Sequence, residues 1–280
     1  RRVAFAERHS WTARVAALAP RVRGLFAPAS IVIVTYNNLA VTRRCLESLF
    51  ACTAWPVYEV VVVDNGSSDG TVDYLRALSR GDDRVRALFG RRNLGFAPAA
   101  NRGLRAARGE YLVLLNNDTV LTPGWLGGLL AHLGDPGVGA VGPVSNWASG
   151  PSQVEVEYRT LDEMGAFAAR YTSAHAQDAV QTDRLAMFCL ALPRSVYDEI
   201  GPLDERFELG MFEDDDYARR IRASGRRLLS VGDVFVHHVG HATFSALGAG
   251  VYDQAFAANR ERFEEKWTTR WTVPGPRAGR

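Results

Sequence analysis

From Ser30 onward the chain alternates short apolar runs with amphipathic stretches, and few folds accommodate that rhythm. Ile31-Val32-Ile33-Val34, Val57 to Val63, Val85 to Phe89 and Tyr111 to Leu115 read as strands. The unbroken β-branched character of the first marks a strand buried on both faces. Between them, Val41 to Phe50, Thr71 to Ser79 and Ala97 to Ala107 read as helices. Strands and helices alternating at this spacing predict βαβ units and a mostly parallel sheet, hence the α/β class. Such a sheet collects the loops after its strands along one edge, where open α/β proteins bind their ligands.

The second half is less regular. Helices are expected over Pro123 to Leu133, Leu161 to Tyr171, Arg194 to Ile200, Asp214 to Ser224 and Phe256 to Trp267. Met187 to Leu192, Arg227 to Val231 and Val234 to His238 read as short strands, while 144–185 looks irregular outside its one helix. An N-terminal helix over Phe5 to Leu25 ends at Ala27-Pro28-Ala29, which suits a linker. The expected division is residues 1–28 as helix and linker, 29–272 as the main domain, and 273–280 as a flexible tail.

With 280 residues, 47% of them hydrophobic, the chain can bury one large core or two small ones. A net charge of +2 gives no bulk electrostatic reason for a nucleic-acid partner. No apolar run reaches the ~20 residues of a membrane span. Three cysteines without a CxxC pair argue against a disulfide framework or a cysteine zinc site. The expected setting is cytoplasmic, including the inner face of a membrane by peripheral association. The chain starts at Arg1, as a domain cut from a longer protein would.

Four clusters follow strands and should share one edge: Thr35-Tyr36-Asn37-Asn38, Asp64 to Asp69, Asn93-Leu94-Gly95-Phe96, and Asn116-Asn117-Asp118. Tyr36 could pack on a base, Asp64 accept from a base N–H or a ribose hydroxyl, and Asp118 hold a hydrated divalent cation with a diphosphate. Each cluster alone also suits a turn or a helix cap; four together favour a nucleotide site. Gly137-Val138-Gly139-Ala140-Val141-Gly142 matches GxGxxG literally but runs into Pro143 and opens no helix, so the match is accidental. No GxxxxGKS/T motif exists, which removes P-loop chemistry.

Glu213-Asp214-Asp215-Asp216 opens a predicted helix. These acids could complement the helix dipole, or one could serve as general base beside an acceptor hydroxyl. Arg219, Arg220 and Arg222 can neutralise only some of them. His237, His238 and His241 have spacings that could bind zinc on a helix. Strand alternation after Val234-Phe235-Val236 instead sends His237 and His238 to opposite faces, with one toward the crevice.

Ser30 to Asn38, Val61 to Thr71, Asn93 to Phe96 with Asn101, Gly109 to Asp118 and Phe212 to Tyr217, in that order, resemble the family 2 glycosyltransferases. The similarity runs from about Ser30 to His241. It implies a GT-A fold, a mostly parallel central sheet flanked by helices, with a nucleotide-binding and an acceptor-binding half. It further implies inverting transfer of a hexosyl or deoxyhexosyl group from a UDP-, dTDP- or GDP-linked donor, assisted by Mg²⁺ or Mn²⁺. The acceptor would be a glycan or lipid-linked saccharide in bacterial surface polysaccharide synthesis. By position, Thr35, Tyr36, Asn37 and Asp64 would hold base and ribose with Asn101 assisting, and Asn116-Asn117-Asp118 would stand at the family's DxD motif with Asp118 as metal ligand. Glu213-Asp214 matches the ED motif, with Asp214 as base, and His238 falls where many members touch the metal or diphosphate. Asn116 departs from the pattern, leaving one aspartate where two are usual.

Phe5 to Leu18, with His9-Ser10-Trp11, also resembles the closing helix of a family 4 glycosyltransferase domain, which implies a fused second glycosyltransferase; an ordinary packed helix is the alternative. Two other functions compete with this reading. A nucleotidyltransferase would carry a glycine-rich loop after the first strand, and Thr35 to Asn38 has no glycine. A non-catalytic nucleotide-sugar-binding module has no need of Glu213, Asp214 and Asp118. Trp147 and Met187 are candidate walls for the sugar pocket, though such residues are more often core.

Overall fold

The computed structural model describes residues 24–240 and 250–273, with Ser10, Trp11, Val15, Leu18 and Gly275. The remainder of the expected N-terminal helix, most of the expected C-terminal tail, and His241 lie outside the described residues. Strands β1 (Ala29–Thr35), β2 (Tyr58–Asp64), β3 (Val85–Phe89) and β4 (Tyr111–Asn116) alternate with helices α1 (Leu39–Cys52), α2 (Thr71–Gly81) and α3 (Phe96–Ala106). There follow β5 (Thr119–Val120), α4 (Trp125–His132), β6 (Val138–Val144), a 3-10 turn (Gly150–Ser152), α5 (Leu161–Ala174), β7 (Ala179–Thr182), β8 (Cys189–Pro193) and α6 (Arg194–Ile200). The chain closes with α7 (Glu213–Ala223), β9 (Arg227–Phe235), β10 (His237–His238) and α8 (Val251–Trp267).

Eight strands form one sheet in the order β3-β2-β1-β4-β8-β6-β9-β7, and β5 pairs with β10 separately. β1, β2, β3 and β4 are mutually parallel, β8 runs antiparallel between β4 and β6, and β9 is parallel to β6. This topology brings the carboxyl ends of β1, β2, β4, β6 and β9, and the amino end of β8, to one edge. Side-chain alternation divides the core: Ile31 and Ile33 pack with Leu46, Leu49, Leu126 and Leu129 on one face. Val32, Val61 and Val63 pack with Ala100, Leu104, Tyr217 and Ile221 on the other. Helices cover both faces, which is why β1 carries no polar alternation.

Three departures from the sequence reading have physical causes. The glycine-rich stretch 137–143 contributes a fully buried strand, β6. A Cβ on Gly139 would stand 2.3 Å from Ile221 Cγ2, so its glycine lets α7 lie close against the sheet. Pro143 is tolerated because the register with β9 shifts beside it. Arg227 to Phe235 is one strand instead of two, with residues 232–234 looped out at that same irregularity. The 144–185 segment holds a further strand, β7, which pairs with β9.

Candidate active site

At the shared edge a cavity of about 450 Å³ opens, within the usual size range of small-molecule sites. Tyr36, Asn65, Asn93 and Gly95 line it from the β1–β3 side, Asn116, Asn117 and Asp118 from the end of β4, and Glu213 and Asp214 from the start of α7. Trp147, Met187, Phe188 and His238 complete much of the wall, so the two candidate sugar-pocket residues do face it.

Asp118 and His238 meet because β10 pairs with β5, setting His238 opposite Thr119. The peptide N–H of Val239 donates to Asp118 O at 2.9 Å and fixes the register. His238 Nε2 lies 3.1 Å from Asp118 Oδ1, and its Nδ1 lies 2.9 Å from Trp147 O. A carbonyl oxygen only accepts, so Nδ1 carries a proton, and Nε2 faces the carboxylate. That contact is repulsive unless a proton or cation lies between, and an imidazole whose Nδ1–H is tied to a backbone carbonyl is oriented as metal-binding histidines are. Phe188 stacks on the ring at 5.0 Å, and both side chains are nearly buried. Among the described residues no third His, Cys, Asp or Glu joins them, so a cation here would take its remaining ligands from ligand oxygens and water. His237 faces away, with Tyr158 Oη 2.5 Å from its Nδ1, as alternation predicts.

The acidic run is sorted by its partners. Asp216, fully buried, receives Arg220 Nε at 2.9 Å, Lys266 Nζ at 2.5 Å and Trp267 Nε1 at 2.9 Å. Asp215 receives Arg184 Nε at 3.1 Å and Trp271 Nε1 at 2.7 Å. Glu213 and Asp214 form no ion pair among the described residues, and Glu213 Oε2 is buried without a hydrogen bond. Burial, then the charge of Asp215, lifts the Asp214 carboxyl from 3.8 to about 7. Burial and the charge of Asp214 hold Glu213 well above the usual carboxylate range. The acids therefore do not all cap the helix: two are neutralised and two are left to the cavity. Asp216, a conceivable alternative base, is excluded by its three partners.

The turn before α7 is strained. Leu209, Gly210, Met211 and Phe212 all have positive φ, at 63°, 123°, 76° and 71°. For each of the three non-glycine residues this costs about 1–2 kcal/mol. Strain of this kind persists where surrounding structure over-determines it, commonly at functional sites. Phe212 is anchored by Phe207 and Phe263 beneath it, with Phe256 and Trp271 against the cluster.

Several residues expected to touch a nucleotide also support the wall. Thr35 is buried, its hydroxyl 2.7 Å from that of Thr42, and Asn117 Nδ2 donates to both, at 3.3 and 3.0 Å. Asp64 is fully buried and accepts from the N–H groups of Gly66 (3.2 Å) and Ser67 (3.3 Å), which shapes the loop after β2. Asn37 ties the first two loops together: its Oδ1 accepts from Ser68 N at 2.8 Å and its N–H donates to Ser67 Oγ at 2.7 Å. Asn101 is furthest from expectation, because its amide bridges Leu203 O, Leu203 N and Glu205 at 2.8–2.9 Å and never reaches the cavity wall. Asn65 lines the cavity and holds Asn93 and Gly95 O, a role its place in the Asp64–Asp69 cluster only hinted at. Phe188 and Tyr252 carried no local signal.

The architecture is that of GT-A enzymes. A mannosyltransferase, PcManGT from Pyrobaculum calidifontis, solved with GDP-Man and Mn²⁺, superposes with a TM-score of 0.60 at 19% identity, covering 94% of this chain and 75% of that one. TarS from S. aureus, solved with UDP-GlcNAc, gives 0.61 at 15% identity, covering 88% and 68%. The family model for glycosyl transferase family 2 matches residues 30–200, and the chain belongs to that family. Among curated relatives, an N-acetylglucosaminyl-diphospho-decaprenol L-rhamnosyltransferase of Mycobacterium tuberculosis is 30% identical over 88% of this chain and 89% of its own length. The uncharacterized protein y4gI of Sinorhizobium fredii is 30% identical over 70% of this chain, which spans 23% of that protein. No helix among the described residues is long and apolar enough to cross a membrane.

Proposed function

We propose that this glycosyltransferase moves a hexosyl or deoxyhexosyl group, with inversion, from a nucleotide-sugar donor to a hydroxyl of a glycan or lipid-linked saccharide. The reading is carried by one observation: among the described residues, Glu213 and Asp214 enter the cavity without an ion-pair partner while their two neighbours are neutralised. A carboxylate titrating near 7 suits a general base at neutral pH.

Asp214 accepts the proton of the acceptor hydroxyl as its oxygen attacks the anomeric carbon on the face opposite the diphosphate. Charge develops on the sugar as in an oxocarbenium-like transition state, and no covalent nucleophile is required. Glu213 lines the cavity beside Asp214, its own carboxyl held above the usual carboxylate range by burial and by the charge of Asp214. Tyr36 offers a ring for the base, and Asn116 and Asn117 face the donor from the end of β4. Asp118 and His238 would hold Mg²⁺ or Mn²⁺, which when bound neutralises charge on the leaving diphosphate. Trp147 orients His238 through its carbonyl and lines the space for the sugar. The similar rhamnosyltransferase, named for a lipid-diphosphate-linked acceptor, supports a lipid-linked acceptor here. That acceptor in turn favours a role in bacterial surface polysaccharide synthesis and peripheral association with a membrane.

Donor turnover across UDP-, dTDP- and GDP-sugars, with and without Mn²⁺, tests the proposal. Metal-stimulated release of one nucleoside diphosphate supports it; no turnover and no nucleotide binding across the panel overturns it.

A further inference from the structure

Helix α8 lies beyond the residues matched by the family model, yet its Asn259 reaches the strained turn. Asn259 is fully buried, and its Nδ2 lies 2.9 Å from Glu208 O, 2.8 Å from Gly210 O and 3.3 Å from Met211 O. Its Oδ1 accepts from Arg262 Nη1 at 2.8 Å, which settles the amide orientation, with oxygen toward the guanidinium and nitrogen toward the carbonyls. Three carbonyls from four successive residues converge on one amide where the backbone takes up positive φ over 209–212. Remove the donor and those acceptors, the buried Gly210 carbonyl among them, lose their partner just where the backbone is least willing to stay. The other side of the turn is functional surface: Leu209, Gly210 and Met211 line the cavity directly before Glu213 and Asp214. The turn also abuts the loop after β3, since a Cβ on Gly95 would stand 3.1 Å from Leu209 N.

We propose that Asn259 is a positioning residue for sugar transfer: its amide locks the turn Glu208 to Phe212 in the strained geometry that aims Glu213 and Asp214 into the cavity. The proposal rests on the reading of Asp214 as general base. It makes the C-terminal helix part of the transfer apparatus, acting on the base from behind, whereas Lys266, Trp267 and Trp271 act on Asp215 and Asp216.

Two variants of the full chain test it. Asn259→Asp keeps the shape and replaces the donors with an acceptor; Asn259→Ser keeps one hydroxyl donor. Misplacing a reacting group by about 1 Å costs on the order of 100-fold, so kcat should fall about 30- to 100-fold in Asn259→Asp and about 10-fold in Asn259→Ser. The donor KM should stay within about 3-fold, because a group that acts on the base alters the transition state and not donor binding. The acid limb of the kcat profile should move to lower pH as Asp214 gains water. Wild-type kcat and acid limb in either folded variant, or a loss lodged equally in donor KM, overturn the proposal. If Asn259→Asp does not fold, Asn259→Ser carries the kinetic test alone. Hydrogen exchange separates this proposal from the assigned reaction. Amides of 209–219 should lose protection in the variants while those of β1 and β4 keep it. Unchanged protection at 209–219 refutes the clamp, even if wild type were to transfer no sugar.

Discussion

Replacing Asp214 by asparagine should damage activity and improve stability at once. Holding the carboxyl at about 7 instead of 3.8 corresponds to about 4 kcal/mol of ionisation work at 1.36 kcal/mol per pH unit. The sign follows from proton linkage. The folded chain binds this proton more tightly than the unfolded chain, so Asp214 costs the fold nothing below the ordinary carboxylate range. The cost accumulates as pH rises through that range to about 7 and is constant above it. Asparagine does not titrate and escapes it. Asp214→Asn should therefore exceed wild type by up to about 4 kcal/mol at pH 8, and by less than half of that at pH 5. This is an upper bound, since Asp214 keeps part of its surface exposed and an asparagine amide placed there has a desolvation cost of its own. Urea unfolding at the two pH values measures the difference. Transfer should fall about 10²- to 10⁴-fold in the same variant, the usual contribution of a general base. The wild-type rate should decline as pH falls through about 7, where Asp214 gains its proton. A variant less stable than wild type at pH 8, or a stability difference independent of pH, would refute the reasoning.

The other perturbations separate support from chemistry. Asp216→Asn breaks the buried contacts to Lys266 and Arg220; urea unfolding should show a loss of about 3–5 kcal/mol, opposite in sign to Asp214→Asn. Asp118→Ala or His238→Ala should raise the Mn²⁺ concentration for half-maximal activity by about 10- to 100-fold, the scale seen when a metal's surroundings are disturbed; an unchanged metal requirement moves the cation elsewhere. Gly139→Ala would put a methyl 2.3 Å from Ile221 Cγ2. Overpacking of that kind costs about 1–3 kcal/mol, and because it pushes on α7, kcat should fall along with the melting temperature.

What the sequence reveals here depends on how local the physics is. β1 to β4 and their helices are legible because hydrophobic periodicity and turn chemistry act within a dozen residues. The four sheet-edge clusters follow from that alternation alone, as does the opposite facing of His237 and His238. β6 was hidden because its glycines and proline answer to α7 and to a register shift with β9, neither of which leaves a local pattern. The division of labour in the acidic run was equally invisible: Lys266, Trp267 and Trp271 choose which carboxylates are neutralised from about fifty residues away. Thr35, Asp64 and Asn101 show the opposite limit. Their chemistry suits ligand contact, but burial commits each to the backbone or hydroxyl beside it.

Asp118 and His238 would form a cation station on the same cavity that Glu213 and Asp214 line. Anomalous diffraction from crystals holding Mn²⁺ and a nucleoside diphosphate tests it most directly. One manganese peak is expected, bonded to both Asp118 Oδ1 and His238 Nε2, with the diphosphate oxygens completing its ligands. A nucleotide bound in the cavity with manganese absent from that pair, or bound at another site, would contradict it.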